Sequence, residues 1–441
     1  MYIPLDQIYH YLGGLIAPNT IIYRFSRHGS KKLQDLSLLK YPAVRWIDSG
    51  QEPPPVIIMY DQEPLDFDFY NPTYLLKNLP TWLANNNLHA GRFFAGSDDI
   101  QKFWCESNLG FICSACYSWT LHDKNIIVHS ELRSEETDKY RAIGLEPVYW
   151  WSHAMIARDW YRYAQHDPNL KSLPKVYAQD FNIYNRAWSG TREYRLKFTD
   201  LIIDNDLVSA SNIKFNPTDN DINYQQHQFQ NSKFKPNNNL EQLPANLANS
   251  ASSADYSSAD YAQCWFDIVL ETLFDDTRLH LTEKILRPIA CGKPFILAAT
   301  QGSLQYLRDY GFHTFDGIID ESYDLESDPI ARLNGIISAM NQIHAWSPEQ
   351  KLSAAIKITA VTKHNQQLFF SDKFTNHVLQ EFKTNMVQAE KICSSNINGT
   401  QWIKLRKMIA QVPDLKEFML AHARPYVIEC FKKLRLQKNK S

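Results

Sequence analysis

What most constrains this chain is a rhythm of short β-branched or apolar runs. Each is closed by a polar or Gly-containing turn and followed by a helix-like stretch. Val56 to Tyr60 follows Pro53-Pro54-Pro55 and is closed by Asp61-Gln62-Glu63-Pro64. Phe93-Phe94-Ala95-Gly96-Ser97-Asp98-Asp99 and Ile126-Ile127-Val128-His129-Ser130 repeat the pattern. Runs of this length and composition read as strands. Strands alternating with helices predict an α/β fold with a mostly parallel sheet covered by helices.

A second series starts near Pro174. Phe181-Asn182-Ile183-Tyr184-Asn185 reads as a strand, Arg186 to Gly190 as a loop, and Glu193 to Ile202 as a helix. That arrangement places anions near a helix N-terminus. Trp265 to Leu270 is the next strand, Thr282 to Ala290 a helix carrying Pro288, and Gly292-Lys293-Pro294 a turn. Phe295 to Ala298 is a strand, Gly302 to Arg308 starts a helix capped by Ser303, and Gly317 to Asp320 reads as a short strand. Residues 330–436 are mainly helix-like, with breaks near Pro348, Ser371, Asn396 and Pro413, and the end from Lys432 to Lys440 is basic. The expected division is 1–175, 176–330 and a helical extension over 331–441. Residues 211–260 are rich in Asn, Gln, Ser and Ala, with Asn237-Asn238-Asn239 and Asn249 to Ser258 the clearest tracts. They read as a loosely packed, mobile surface insertion within the second domain, because their apolar content is low and scattered.

At 441 residues the chain exceeds one ordinary core. Lys plus Arg is 46 and Asp plus Glu is 48, giving a formal charge of −2. No nucleic-acid partner is expected on that balance. Apolar runs fall short of the roughly twenty residues that span a bilayer, which leaves only peripheral membrane contact open. The start, MYIPLDQIYHYLGG, lacks the pattern of a signal peptide. Seven widely spaced cysteines, an odd number, fit a reducing compartment, and a cytoplasmic location is expected. Cys113-x-x-Cys116 has no second ligand pair beside it, so no metal site is read there.

Glu271 to Gly302 carries the densest chemistry. Glu271 follows a strand directly, Asp275-Asp276 sits in a loop, and Glu283-Lys284 opens a helix. Carboxylates at strand ends and helix starts accept hydrogen bonds from ribose hydroxyls, and Lys284 or Lys293 would meet a diphosphate as a point charge. Without a ligand, Glu283 simply complements the helix dipole and Lys284 is solvated. Leu281-Thr282-Glu283-Lys284-Ile285-Leu286, followed by Gly292-Lys293-Pro294-Phe295-Ile296-Leu297, resembles the donor-binding motif of the α1,3/α1,4-fucosyltransferase family. That family's Glu-Asn-Ser stretch corresponds here to Glu271-Thr272-Leu273.

The resemblance covers roughly residues 178–325. It implies a GT-B architecture, two Rossmann-like domains facing each other, with a nucleotide-sugar donor held by the C-terminal one. It implies Glu271, Glu283 and Lys284 in the donor site. A phosphate-binding arginine matches Arg195 best, with Arg192 and Arg186 as competitors. The implied reaction is transfer of a sugar from a nucleoside-diphosphate donor, GDP favoured, to a glycan or other hydroxyl acceptor, inverting and independent of metal or prosthetic group. An inverting enzyme needs a base for the acceptor hydroxyl. Glu63 and Asp61, just beyond the Val56 to Tyr60 run, are the first candidates, ahead of Asp98, Asp99 and His28.

His153, in Trp150-Trp151-Ser152-His153, sits among rings that either stack on sugar faces or pack a core. No Gly-x-Gly-x-x-Gly and no P-loop occurs. Asp-x-Asp occurs at Asp66, Asp204 and Asp219, the second after an apolar run suited to a strand end, which keeps a metal-dependent transferase as a rival. The non-enzymatic alternative is a nucleotide- or carbohydrate-binding protein that keeps the fold without turnover.

Overall fold

The computed structural model describes residues 21–24, 56–67, 125–142, 145–171, 176–243 and 254–395. The expected strand at Phe93 to Ala95, the candidates Asp98, Asp99 and His28, the pair Cys113 and Cys116, the helix breaks near Asn396 and Pro413 and the basic end all lie outside these residues.

The chain is α/β and forms two compact units, each built on a four-stranded parallel sheet. One unit contains β1 (Ile21–Arg24), β2 (Val56–Tyr60), β3 (Asn125–His129) and β4 (Glu146–Tyr149), in that spatial order and parallel throughout. Ile57, Met59, Ile126, Ile127 and Val128 are buried. Strands covered on both faces need apolar residues at successive positions, which is why they read as continuous runs rather than alternations. Helix Glu136–Ala142 joins β3 to β4 and buries Tyr140 against the edge of Phe67, with ring centroids 5.1 Å apart.

The other unit comprises Glu131–Ser134 and Ser152–Leu379. Its sheet holds β5 (Gln179–Asn185), β6 (Ser211–Phe215), β9 (Cys264–Leu270) and β10 (Phe295–Ala298), in spatial order β10-β9-β5-β6 and again parallel. From β5 the chain passes through helix Tyr194–Asp204 to β6 on one side, and the later strands β9 and β10 add on the other. The order therefore reverses between β5 and β9, the place outside the carboxyl ends of the strands where open α/β sheets bind their ligands. Every residue of β9 is buried. A polar row crosses this core: Asn182 donates to Asp267 Oδ1 at 3.1 Å and Tyr261 OH to Asp267 Oδ2 at 2.8 Å.

Helices Pro329–His344 and Pro348–Phe369 start where expected, because Asp328 and Ser347 cap their first backbone N–H groups and proline occupies the first helical turn. Gly317 to Asp320 differs from the expected strand. Gly317 has φ +73° and only a single bridge joins Asp316 to Ile319, so the stretch is a turn. Among the described residues no helix is long and apolar enough to cross a membrane.

Residues 211–243 also differ from the loosely packed insertion that their composition suggests. Residues 211–215 are β6, and Thr218–Asp219 pairs with Ile222–Asn223 as a short antiparallel hairpin, labelled β7 and β8. Three 3-10 turns follow, each capped by an asparagine side chain: Asn223 accepts from Gln225 N, Asn231 from Lys233 N and Asn239 from Glu241 N. Each cap is followed within three residues by a buried side chain, Tyr224, Phe234 and Leu240 in turn. Helix Tyr194–Asp204 secures the same segment. Glu193, just before it, accepts from Gln230 N and Asn231 N at 2.8 and 3.0 Å, and Asp200 accepts from Asn237 N and Asn238 N at 3.0 and 2.8 Å. Asparagine is frequent here because its short amide satisfies backbone groups that a core would otherwise satisfy.

Candidate functional site

The carboxyl ends of β5 and β9 gather most of the residues singled out from the sequence. Glu271 is the first residue beyond β9 and is fully buried. Its Oε1 accepts from Thr282 N at 3.1 Å, and its Oε2 from Thr282 Oγ1 at 2.7 Å and Thr272 N at 3.3 Å. Its carboxylate thus closes the 271–282 loop on itself. Thr282 caps helix Glu283–Ala290, accepting from Lys284 N at 3.3 Å.

That lock places Lys284 and Glu283 at the helix start. Lys284 Nζ reaches Thr282 Oγ1 at 2.9 Å and Thr272 Oγ1 at 3.2 Å, lies 3.5 Å from Glu283 Oε1 and keeps 22% of its side chain exposed. Glu283 lies 3.1 Å from His153 Nδ1 on its other side. Burial alone would raise the Glu283 carboxyl, but Lys284 and His153 beside it hold it well below the usual carboxylate range. The site therefore presents an ionised carboxylate and one partly exposed ammonium.

The three arginines part company. Arg195, on the first turn of helix Tyr194–Asp204, is buried. Its guanidinium donates to Ala187 O at 2.5 Å, Leu270 O at 2.7 Å and Glu271 O at 2.9 Å. It clamps the ends of β5 and β9 together. Arg192 is half-buried, with Nε 3.3 Å from Ser189 O. Arg186, the first residue beyond β5, is exposed and has no hydrogen bond or ion pair among the described residues. Lys293 is buried, donating to Tyr261 O and Cys264 O at 2.8 and 2.9 Å, with burial pushing its ammonium down to about 7. It faces the core and offers nothing to a ligand.

Several contributors carry no local sequence signal. Asp219 Oδ2 accepts from Trp188 N and Ser189 N, both at 2.8 Å, and so fixes the loop that carries Arg186. This spends the first acid of one Asp-x-Asp on backbone. In another, Asp204 closes a helix and Asp206 adopts φ 57°, so that pair lies at a helix end rather than a strand end. Tyr194 OH donates to Glu271 O at 2.7 Å, and its ring stacks on Phe274 at 4.2 Å. Residues 131–134 brace the loop from outside. Arg278 approaches Glu131 at 3.4 Å, and the backbones of Leu132 and Arg133 pair with Leu279. His153 and Glu131 become site neighbours only through the fold.

In the other unit Asp61 is fully buried at the end of β2, whereas Glu63 is partly exposed. No protein-family model, curated protein or solved structure matches the chain.

Proposed function

We propose that this protein is a GT-B glycosyltransferase, inverting and independent of metal, that transfers a sugar from a nucleoside-diphosphate donor to a glycan or other hydroxyl acceptor in the cytoplasm. The observation that carries the reading is the reversal of strand order between β5 and β9. There a carboxylate-locked loop presents Lys284 at a helix start, while the exposed Arg186 at the neighbouring strand end has no hydrogen bond or ion pair among the described residues. Open α/β sheets bind nucleotides at such a reversal of strand order, and backbone N–H groups at helix starts favour anions.

In the reaction the bond from the anomeric carbon to the phosphate oxygen breaks as the acceptor oxygen attacks. Lys284 and Arg186 offset the charge that develops on the leaving diphosphate. Arg195 and Glu271 act as positioning residues that keep the two strand ends and the 271–282 loop in place. Glu63 takes the acceptor's proton, being the more accessible of the two acids beyond β2. The resemblance to fucosyltransferases favours a GDP-sugar.

Calorimetry with GDP, UDP, TDP and CMP tests the proposal. We expect GDP to bind most tightly and Lys284→Ala and Arg186→Ala each to weaken it roughly tenfold or more, as loss of a charge-assisted contact implies. Unchanged affinity in both variants would move the pocket elsewhere. A binding protein without turnover is the second reading, favoured by Thr272 and Leu273 standing where fucosyltransferases carry Asn and Ser. Release of free sugar from a bound GDP-sugar decides against it.

A further inference from the structure

His153 has no role in the reading above, yet it touches Glu283, the neighbour of Lys284 at the helix start. It lies in the first turn of helix Ser152–Trp160 and is only 5% exposed. Its Nδ1 is 3.1 Å from Glu283 Oε2, and its ring meets the His280 ring edge-on at 5.2 Å. Nδ1 is within hydrogen-bonding distance of Glu283, whereas Nε2 has no hydrogen-bond partner among the described residues, and both nitrogens are shielded from solvent. Buried side-chain nitrogens are rarely left this way.

Glu283 is already committed. One oxygen faces His153, the other lies 3.5 Å from Lys284, and 9% of the side chain is exposed. Little of that carboxylate is left to bind a ligand directly. A small ring rotation straightens the Nδ1–H contact to Glu283 Oε2. The carboxylate then fixes the proton on Nδ1 and leaves Nε2 as a hydrogen-bond acceptor. An acceptor held by a carboxylate at the start of a helix suits a hydroxyl donor and offers nothing to a phosphate oxygen. We infer that His153, oriented by Glu283, is the group that reads a sugar-ring hydroxyl here, with Nε2 accepting from either the ribose or the transferred sugar. The inference rests on the nucleotide-sugar reading of the site and names its hydroxyl-binding residue.

The test is calorimetry on the full chain with GDP, 2′,3′-dideoxy-GDP and GDP-fucose, comparing wild type with His153→Phe, which keeps the ring and removes both nitrogens. If the ribose is read, His153→Phe weakens GDP by roughly three- to tenfold, as one hydrogen bond predicts, and leaves dideoxy-GDP unchanged. If the transferred sugar is read, only GDP-fucose weakens. An equal loss for all three ligands marks a structural role and overturns the inference, as does no loss for any.

A wild type that binds none of these ligands, nor UDP, TDP or CMP, removes the nucleotide site itself, and the inference with it. Should His153→Phe not fold, nitrogen NMR of the imidazoles in the wild type decides. The His153 Nε2 signal should move with GDP or GDP-fucose, and absence of movement with both refutes the assignment.

Discussion

Arg195 offers the sharpest test, because a phosphate ligand and a structural clamp predict opposite results in the absence of ligand. Its guanidinium serves three carbonyls, on Ala187, Leu270 and Glu271. In Arg195→Met, Glu271 O keeps the Tyr194 hydroxyl at 2.7 Å, whereas Ala187 O and Leu270 O lose this donor. A buried acceptor left unsatisfied costs ~1–3 kcal/mol. Two of them, offset in part by no longer burying a cation whose Nε already lacks a partner, amount to about 2–4 kcal/mol of stability.

Amide exchange suits this measurement, since a chain of two units does not give a single unfolding transition. Protection should fall in β5 and β9 of the ligand-free protein, and Arg195→Lys, which reaches fewer carbonyls, should restore part of it. A protection loss below roughly 0.5 kcal/mol in Arg195→Met, well short of one unsatisfied acceptor, would refute the clamp. If nucleotide binding fell at the same time, Arg195 would be a ligand contact.

Glu193→Gln should free residues 227–231, because its carboxylate takes both backbone N–H groups there and lies 2.7 Å from His227 Nε2. We expect about 2 kcal/mol less local stability, seen as faster exchange at Gln230 and Asn231, and unchanged exchange there would disprove the staple. Asp324 caps the first turn of helix Ser303–Asp309 through Leu304 N, and burial pushes its carboxyl up to about 6. A raised folded-state value means that ionising it costs stability, with the penalty growing from about pH 4 to 6 and constant above. Asp324→Asn, which still accepts from Leu304 N, should therefore be more stable than wild type at pH 7–8 by on the order of 2 kcal/mol. The advantage should vanish below pH 4, and a difference independent of pH would contradict the assignment.

Strands β2, β3, β5, β9 and β10 were legible because parallel strands buried on both faces need unbroken apolar runs, as in Val56–Tyr60 and Cys264–Leu270, whereas the short β1 and β4 and the more polar β6 carry no such run. The helix at Glu283 was legible from its Thr-Glu start, and Lys284 with it. Two things escaped. Residues 211–243 looked unstructured because composition weighs how much apolar surface a stretch holds, and here the backbone is satisfied instead by Asn223, Asn231, Asn239, Glu193 and Asp200. Which arginine stays outside was equally hidden. Arg186, Arg192 and Arg195 share one short loop and helix start, and only the distance to the carbonyls of β9 separates a clamp from a free cation. His153 meets Glu283 across a long stretch of chain that no local motif spans.

The three capping asparagines stand at 223, 231 and 239, a constant spacing of eight residues. Each asparagine opens a turn of three residues, and the first turn is tied to the third, because Tyr224 OH donates to Asn239 Oδ1 and accepts from Leu240 N. A gene that gained or lost a whole octet would keep each cap in phase with its own turn but part Tyr224 from Asn239, and a change of one or two codons would also shift the amides off the N–H groups they serve. Relatives of this chain should therefore rarely change length between 223 and 239, and should keep asparagine at 223 and 231, whose amides also donate to Glu241 and Asp275, together with the buried Tyr224, Phe234 and Leu240.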